Sequence, residues 1–313
     1  MQELEGREVL VTGGAGFIGS HLCQKLLEYN VRLTVYDNLS TGSIENIKGL
    51  QERIRFVRGD IRSTEFSEKA GSPDLIFHLA AQTSVPKSMV NPVEDYEINA
   101  YGTLNVLELA RKNDSRVVYA SSAAIYGNPE VLPTPEDCPP KPVSFYGLSK
   151  LVGEEYCKMY MDSYGLEVSI ARISNAYGSR GHGVIKDFID KIRLNKRKLE
   201  VLGTGEQSRD FIHVSDVVNA LILSATMKEA RGQIFNVGSG KSMKIIELAR
   251  LMIRMLGLEN VTVISTTNRS WKGDIEIIWL DISKAEKVLN WKPSIQLENG
   301  LKSLMKGWEL PVV

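Results

Sequence analysis

The stretch Gly13-Gly14-Ala15-Gly16-Phe17-Ile18-Gly19 (GGAGFIG) decides the fold, because it joins a strand pattern to a helix pattern. The apolar run EVLVT (8–12) precedes it, and helical periodicity follows it. Gly13, Gly16 and Gly19 have the spacing G-x-x-G-x-x-G, a variant of the dinucleotide-binding fingerprint. Glycines there permit a tight turn and a close approach of backbone to a pyrophosphate, and the helix N-terminus offers N–H groups to the anion. The stretch therefore predicts a dinucleotide site at the end of the first strand.

Short apolar runs recur along the first half of the chain, with helical patterns between them. Continuous runs of this kind are typical of strands covered on both faces, and the alternation with helices indicates a parallel sheet. The predicted strands are 8–12, 32–37, 53–60, 74–80, 116–122 and 167–172, and the main predicted helices are 17–29, 93–113 and 146–165. We expect an α/β fold with a Rossmann-type doubly wound parallel sheet.

The pattern changes after Arg172. Glycine-rich sequence, a helix at 184–193, strands at 199–203 and 233–238 and a helix at 244–257 indicate a smaller, mixed α/β C-terminal lobe. We expect residues 1–172 to form the dinucleotide-binding domain and residues 173–313 the substrate lobe, with some exchange of strands or helices between them. Ligands of open α/β sheets bind beyond the carboxyl ends of the strands, so this lobe would cover that crevice.

Composition excludes some classes of partner. Lysine plus arginine and aspartate plus glutamate number 38 each in 313 residues, so no general attraction to nucleic acid or anionic membranes is expected. The apolar stretches fall short of the ~20 residues that span a bilayer, and the acidic N-terminus lacks the positive region of a signal peptide. We expect a cytoplasmic protein whose three cysteines, Cys23, Cys138 and Cys157, are free thiols without metal-ligand spacing.

The second strand ends at Asp37, where the fingerprint calls for an acid that binds the ribose 2′-hydroxyl. A 2′-phosphate would be repelled there, and no arginine stands beside it, so NAD is favoured over NADP. The alternative is that Asp37 only caps a turn. Two further strand ends, Asp60-Ile61 and the segment 78–81, would border the same crevice, although His78 alone is more often structural than catalytic.

The segment FYGLSK (145–150) places Tyr146 and Lys150 four residues apart, on one face of a helix if a helix begins there. A neighbouring cation favours phenolate over phenol, so the tyrosine could act as a base below its free pKa of about 10. Tyr-x-x-x-Lys is also common on ordinary helix surfaces. These six residues alone leave the structural interpretation as the more frequent one.

Several motifs in order resemble one family. TGGAGFIGSH, YDNLSTG, GDI, HLAA, YASSAAIYG, FYGLSK, QSRDFIHVSDV and WKGD are similar to the extended short-chain dehydrogenases/reductases, specifically the NAD-dependent nucleotide-sugar epimerases and dehydratases. The likeness is greatest to the compact UDP-glucose 4-epimerases. The resemblance implies NAD as tightly held cofactor and a nucleotide sugar, such as a UDP-hexose, as substrate.

The resemblance also implies residue roles. Tyr146 would be the acid/base, Lys150 would lower its pKa and bind the nicotinamide ribose, and Ser122 would bind the sugar 4-hydroxyl. The implied cofactor contacts are Gly13, Gly16, Phe17, Ile18, Gly19, Asp37, Asn38, Ser40, Thr41, Gly42, Asp60, Ile61, Leu79, Ala80, Ala81, Thr83, Asn99, Tyr146 and Lys150. The implied substrate contacts are Ser122, Tyr146, Asn175, Val184, Val201, Arg209, Arg269 and Asp274.

Among these substrate contacts, Arg209 and Asn175 would bind the diphosphate and Asp274 the nucleotide ribose. Val184 and Val201 would line the base pocket. Larger epimerases carry an arginine just before the Gly-Asp pair, whereas this chain has Lys272 there, so either Arg269 or Lys272 would supply the second charge.

The turn after Ser122 indicates the type of reaction. Dehydratases of this family carry Asp-Glu there, decarboxylases a glutamate and deoxysugar epimerase-reductases a cysteine, whereas this chain has Ala123 and Ala124. Inversion at C4 is the reaction that remains. Another nucleotide sugar, such as a UDP-hexuronate, and a non-catalytic NAD-binding module stay as alternatives.

Two further expectations come from the resemblance. Ile278 occupies the position that admits or excludes bulky 2-substituents, and being smaller than tyrosine it would leave room for an N-acetyl group. The helices around 91–113 and 146–164 would pair across a two-fold axis to form a homodimer.

Overall fold

A computed structural model describes residues 3–195, 197–258, 261–266 and 271–308. The strands are β1 Glu8–Thr12, β2 Arg32–Asp37, β3 Ile54–Arg58, β4 Leu75–His78, β5 Arg116–Ser122, β6 Val168–Ile173, β7 Asn175–Tyr177, β8 Lys198–Val201, β9 Ser208–Arg209, β10 Phe211–His213, β11 Ile234–Val237, β12 Met243–Lys244 and β13 Thr262–Ser265. The α-helices are α1 Phe17–Leu26, α2 Phe66–Ala70, α3 Val85–Val90, α4 Pro92–Tyr96, α5 Gly102–Asn113, α6 Phe145–Tyr164, α7 Val184–Leu194, α8 Val214–Thr226, α9 Ile245–Met255, α10 Ser283–Leu289 and α11 Leu297–Gly307. Short 3₁₀ segments are Leu27–Tyr29, Ile44–Arg53, Ala123–Tyr126 and Lys228–Ala230.

The main sheet has seven parallel strands in the order β11-β6-β5-β4-β1-β2-β3. All six predicted strands are present in it. The interiors of β1, β2, β4, β5 and β6 are buried, as their continuous apolar sequence indicates, whereas β3 at the edge of the sheet is only partly buried. Strand order reverses on either side of β1, which pairs with β2 on one side and β4 on the other. The Rossmann-type doubly wound sheet is confirmed, and its ligand crevice is expected at that reversal.

The seventh strand, β11, comes from the region assigned to the small lobe. Its residues pair in parallel with β6, from Ile234 opposite Ile170 to Val237 opposite Ile173. Helix α8, also from that region, packs against α1, β5 and β6. A four-residue apolar run indicates a strand but not which sheet it joins, so the sequence did not assign β11 to the large sheet, although it predicted some exchange of strands or helices between the two parts. The boundary at residue 172 stays a prediction, since the chain beyond it completes the large sheet.

The smaller lobe has its own core. Strands β8 and β13 pair in parallel, and helices α7, α9 and α11 contribute buried apolar side chains around them. Within the described ranges, no helix is both long and apolar enough to cross a membrane. The same ranges contain no group of three or more His, Cys, Asp or Glu side chains placed to share a metal ion. All three cysteines are free thiols.

The predicted helix 93–113 is interrupted. Helix α4 passes into a π-helical turn, Glu97–Tyr101, before α5 begins. Asn99 lies in that turn, is buried, and exchanges two hydrogen bonds with the main chain of Gln82, of 2.8 and 3.0 Å. Helical periodicity could not predict this turn, because the contact that accompanies it lies 17 residues away in sequence.

His78, at the end of β4, has a structural environment. Its two ring nitrogens bond the hydroxyls of Thr12 and Thr103, at 2.8 and 2.9 Å, and burial lowers its pKa to about 3. A neutral ring with both nitrogens occupied is not available for proton transfer. The position next to the crevice therefore carries no catalytic role for this histidine.

Candidate active site

Helix α6 begins directly against the turn that follows β5. The Ser144 hydroxyl caps the helix by accepting from the N–H of Gly147 at 3.1 Å, and the N–H of Tyr146 donates to the Ser88 hydroxyl at 3.0 Å. A Cβ at position 147 would lie 2.6 Å from the carbonyl oxygen of Ala124. A glycine is therefore required for this close approach, which brings the first turn of α6 to the end of β5.

Ser122 and Tyr146 meet at this junction. Ser122 is the last residue of β5, and its hydroxyl accepts from the N–H of Ala124 at 3.2 Å. The Ser122 side chain lies beside the phenol of Tyr146 and acts to lower its pKa. Tyr146 is partly buried. The structure thus brings together the hydroxyl and the phenol that the resemblance pairs, although they are far apart in the chain.

The pKa of Tyr146 lies above its ordinary value, so the expectation of a lowered pKa is wrong in this structure. Burial is the main cause, the Ser122 side chain acts in the opposite direction, and the charge of Asp95 raises the pKa further. Lys150 lies on the same helix as predicted, but its Nζ is 4.4 Å from the centre of the Tyr119 ring. Burial lowers the pKa of Lys150 to about 8.

The glycine-rich turn has the geometry of a phosphate cradle. Gly13 has φ +71°, a conformation that favours glycine, and a Cβ there would lie 2.7 Å from the backbone nitrogen of Ala80. A Cβ at Gly19 would lie 2.1 Å from the Gly13 carbonyl oxygen. Helix α1 starts at Phe17 with Gly16 as N-cap and no side-chain cap, which leaves its first N–H groups directed at the turn.

Asp37 joins the end of β2 to this turn. One carboxylate oxygen accepts from the N–H of Ala15 at 2.9 Å and the other from the N–H of Leu39 at 2.8 Å. Asp37 is buried, and burial raises the pKa of its carboxyl group. It does more than cap a local turn, because Ala15 lies 22 residues earlier in the chain.

The remaining predicted cofactor residues lie around the same edge of the sheet. Asn38 donates to Asp60 at 2.9 Å, and Arg62 donates two further bonds to that carboxylate, which lowers the pKa of Asp60 to about 2. A Cβ at Gly42 would lie 2.9 Å from the Ala15 carbonyl carbon. The segments that carry these residues follow β1, β2, β3 and β4 and include Phe17, Ile18, Ser40, Thr41, Ile61, Leu79, Ala81, Thr83 and Asn99. A glycine cradle, an uncapped helix start and an acid at the second strand end fit a dinucleotide such as NAD.

The predicted substrate residues Arg209 and Asp274 form an ion pair. Arg209 lies in β9, is buried, and also donates to the carbonyl oxygens of Ser208 at 2.7 Å and Glu276 at 3.4 Å. The structure therefore places together two side chains that the resemblance assigns to the diphosphate and the ribose. Lys272 is exposed two residues before Asp274, and Arg269 lies outside the described residues.

Other substrate candidates lie on separate elements. Asn175, the first residue of β7, is exposed. Val184 begins α7, and the buried Val201 ends β8 in the core of the small lobe. Ile278 is buried in an apolar cluster with Ala123 and Ile125 of the turn after β5, together with Tyr126 and Leu280. Ile278, which is expected to admit or exclude bulky 2-substituents, thus packs against the turn after Ser122, which is expected to determine the type of reaction.

Sequence reasoning missed three supporting residues. Ser88 holds the N–H of Tyr146, and Asp95 bonds the hydroxyl of Ser149 at 2.6 Å. Asp210, next to Arg209, accepts hydrogen bonds from Ser239, Gly240 and Leu280. No local pattern in the sequence indicates these three residues, because their partners lie 29 to 70 residues away.

Comparisons with known proteins agree with this geometry. Residues 9–238 match the NAD dependent epimerase/dehydratase family. The chain belongs to that family. A Methanocaldococcus jannaschii protein provisionally named a UDP-glucose 4-epimerase is 43% identical over 95% of this chain and 97% of its own. UDP-glucuronic acid decarboxylase 1 of Xenopus tropicalis is 36% identical over 96% of this chain and 72% of its own.

A solved structure shares the whole architecture. The UDP-glucose 4-epimerase of Thermotoga maritima, solved with UDP-glucose, is similar with a TM-score of 0.90 and 36% identity over 96% of this chain and 98% of that one. The predicted family is confirmed, as is NAD as its cofactor. When bound, NAD supplies a hydride acceptor, and the glycine cradle, Asp37 and the strand-end residues are the groups that would hold it.

We expect Asp37→Ala to lower the NAD content of the purified protein and to weaken NAD binding about tenfold or more. The substitution removes the carboxylate that would bind the ribose and also its hydrogen bond to the N–H of Ala15 in the glycine turn. The nucleotide released on denaturation, and titration calorimetry after its removal, measure this. Glu52→Ala, which removes an exposed acid before β3, is the control and should keep wild-type affinity. Equal NAD content in the two variants would contradict the role of Asp37.

Proposed function

We propose that the protein is a nucleotide-sugar 4-epimerase that interconverts UDP-glucose and UDP-galactose through a 4-keto intermediate. The observation that carries the proposal is the placement of the Ser122 hydroxyl beside the partly buried phenol of Tyr146, next to a turn in which Ala123 and Ala124 offer no acid or base. A single phenol with a supporting hydroxyl is enough to move one proton. It is not enough for an elimination, which needs an acid and a base at neighbouring carbons.

The proposed mechanism assigns proton movement to Tyr146. Ser122 positions the sugar 4-hydroxyl, Tyr146 removes its proton, and Lys150 holds positive charge behind the phenol. When bound, NAD would supply the acceptor for the C4 hydride and the donor for its return. The sugar turns over in the pocket between these events, and Tyr146 gives back the proton to the new 4-hydroxyl. Since the cofactor is restored in every cycle, tight retention of NAD is part of the proposal.

On the substrate side, we assign the diphosphate to Arg209 and Asn175 and the ribose to Asp274. Support comes from the ion pair between Arg209 and Asp274, whose side chains are both largely buried. Arginine suits a diphosphate because its planar guanidinium donates in pairs. Val184 and Val201 are proposed for the base, and Arg269 for the second charge.

The relatives keep other substrates open. A 36% identical relative is named for glucuronic acid decarboxylation, and its name points to a UDP-hexuronate. The absence of an acid at Ala123 and Ala124 argues against decarboxylation and elimination here, but not against 4-epimerisation of a uronate. A UDP-N-acetylhexosamine is a second candidate, because Ile278 is shorter than a tyrosine. A non-catalytic NAD-binding module is disfavoured by the intact Ser122, Tyr146 and Lys150.

We also propose a homodimer. Phe145, Leu148 and Met159 are exposed apolar side chains on one face of α6, spaced by 3 and 11 residues. Tyr96 and Tyr101 add exposed aromatic rings from the segment that packs beside α6. A contiguous apolar surface of this kind marks an interface more often than a free surface. A cytoplasmic location stays a prediction.

Tyr146→Phe should lower the rate of UDP-galactose conversion by a factor of about 100 to 10,000, because the proton acceptor is removed while the ring remains. Separation of UDP-glucose from UDP-galactose at intervals measures the rate. Tyr156→Phe, on the same helix, is the matched control and should retain activity. Full activity in Tyr146→Phe would reject the proposed acid/base.

A panel of UDP-, dTDP- and GDP-sugars tests the substrate assignment. We expect turnover of both UDP-glucose and UDP-N-acetylglucosamine. Ile278→Tyr should reduce kcat/KM for the N-acetylated sugar at least tenfold more than kcat/KM for UDP-glucose, because the larger ring fills the space for the 2-substituent. If wild type converts UDP-glucose but not the N-acetylated sugar, the N-acetyl hypothesis is removed. Turnover of a UDP-hexuronate alone would contradict UDP-glucose as the substrate and assign the uronate instead.

Met159→Glu should convert the dimer to a monomer, since a carboxylate at the centre of the proposed interface loses its water without gaining a partner. Light scattering after size exclusion measures the mass. Val131→Glu places the same charge at an exposed apolar position outside α4, α5 and α6, and should leave the mass unchanged. A wild-type protein that elutes as a monomer would contradict the proposal.

A further inference from the structure

The loop that joins β7 to α7 lies against the first two turns of the dinucleotide-binding helix α1. It spans residues 178–183, with the sequence GSRGHG, and is called the β7–α7 loop below. The Nε2 atom of His21 on α1 lies 2.9 Å from the carbonyl oxygen of Ser179. A carbonyl oxygen only accepts, so His21 donates this hydrogen bond. The bond joins two residues that are 158 positions apart in the chain.

Phe17, the first residue of α1, packs against the same loop. Its ring meets the rings of His21 and His182 edge to face, with centroids 5.9 and 6.1 Å apart and interplanar angles of 85° and 79°. Edge-to-face contact is a favourable arrangement of aromatic rings. A Cβ at Gly181 would lie 3.1 Å from the Phe17 ring. The loop therefore has a glycine where its backbone approaches that ring.

The β7–α7 loop contains a residue in an unfavourable backbone conformation. Arg180 has φ +65°, in the left-handed region that residues other than glycine rarely adopt. Such a conformation persists where the surrounding structure imposes it, and it occurs most often at functional sites. Arg180 directly follows Ser179, whose carbonyl oxygen accepts from His21. Helix α1 thus provides a contact that holds the loop next to its strained residue.

Both ends of the loop continue into residues proposed to bind the substrate. Asn175, proposed for the diphosphate, begins β7, and Val184, proposed for the base, is the first residue of α7. The N–H of Asn175 also donates to the carbonyl oxygen of Asp210 at 3.0 Å, and Asp210 is the neighbour of Arg209 in the chain. The position of the loop therefore affects where these proposed substrate groups lie.

Helix α1 also belongs to the cofactor turn. Phe17 directly follows the N-cap Gly16, and His21 lies one helical turn later. Residues i and i+4 of a helix share one face, so both side chains meet the loop together. One helix thus connects the glycine cradle to the loop on the substrate side.

We infer that His21 is a positioning residue: by holding the β7–α7 loop on α1, it fixes the proposed substrate residues Asn175 and Val184 relative to the cofactor turn. It acts through the loop and not on the reacting atoms. Its contribution to substrate binding rests on the proposed function, whereas the attachment of the loop to His21 does not.

Hydrogen exchange on the purified full-length protein tests the attachment. His21→Ala should raise the exchange rate of the peptide that covers 178–183 about three- to tenfold, the usual effect of one lost hydrogen bond on local opening. Burial lowers the pKa of His21, so a neutral ring donates at pH 7. His21→Gln should therefore restore the rate to near that of wild type, because a neutral amide nitrogen takes the place of Nε2.

Gln24→Ala, at an exposed position of α1, is the matched control and should leave the exchange rate of the loop unchanged. Equal exchange of the loop in wild type and His21→Ala would overturn the inference. Equal increases in His21→Ala and His21→Gln would overturn it as well, because they would show that the hydrogen bond to Ser179 is not what holds the loop.

Steady-state kinetics with NAD in excess test the consequence for the substrate. His21→Ala should raise KM for UDP-glucose about three- to tenfold and change kcat less than about twofold, because binding groups shift while the acid/base stays in place. Calorimetric titration with UDP should show binding weakened by the same factor, and His21→Gln should recover most of the loss. A lower kcat with unchanged KM would contradict a positioning role.

A second variant tests the contact from the loop side. Gly181→Ala places a methyl group 3.1 Å from the Phe17 ring and 2.8 Å from the Gly178 carbonyl oxygen, and it should raise both the exchange rate and KM as His21→Ala does. If His21→Ala does not fold, wild-type values in Gly181→Ala would contradict the inference. A wild-type protein inactive on every nucleotide sugar would reject the proposed function and the effect on its substrate, yet hydrogen exchange would still decide whether His21 holds the loop.

Discussion

The buried ion pair between Arg172 and Glu154 is the interaction on which the arrangement of the site depends. Arg172 is the penultimate residue of β6, and Glu154 lies in the middle of α6. The guanidinium of Arg172 also donates to the Tyr126 hydroxyl at 2.8 Å and to the Glu136 carbonyl oxygen at 2.7 Å. One side chain thus connects the sheet, the catalytic helix, the turn after β5 and the proline-rich loop. Loss of one partner of such a pair costs about 3–5 kcal/mol, because an uncompensated charge stays buried.

This pair also determines how charge is distributed along α6. Successive turns of the helix carry Tyr146, Lys150 and Glu154, and the charge of Glu154 is paired with that of Arg172. The helix is held close to its neighbours at Gly147 and Gly153, where a Cβ would lie 2.6 Å from a carbonyl oxygen and 2.2 Å from a tyrosine hydroxyl. A rigid helix is a suitable support for proton transfer.

Relatives of this chain are named for different reactions on nucleotide sugars, so the fold alone does not determine the reaction. The proposed function attributes the type of reaction to the residues after Ser122 and the accepted 2-substituent to Ile278, which packs against them. Because Ala123 and Ile278 lie in one apolar cluster, a substitution at one position alters the packing around the other.

The amino-acid sequence by itself determined the features that depend on neighbours in the chain: the six strands, the glycine turn, Asp37 at its strand end, and Tyr146 and Lys150 on one helix. Hydrophobic periodicity and turn chemistry act over a few residues, so they can be read from one sequence. Only the tertiary structure decided the place of β11, the π turn at Asn99, the placement of Ser122 beside Tyr146, and the contact of His21 with Ser179. These depend on burial and on contacts between distant segments. The direction of the Tyr146 pKa belongs with them, because burial outweighs the helix neighbour from which the sequence predicted it.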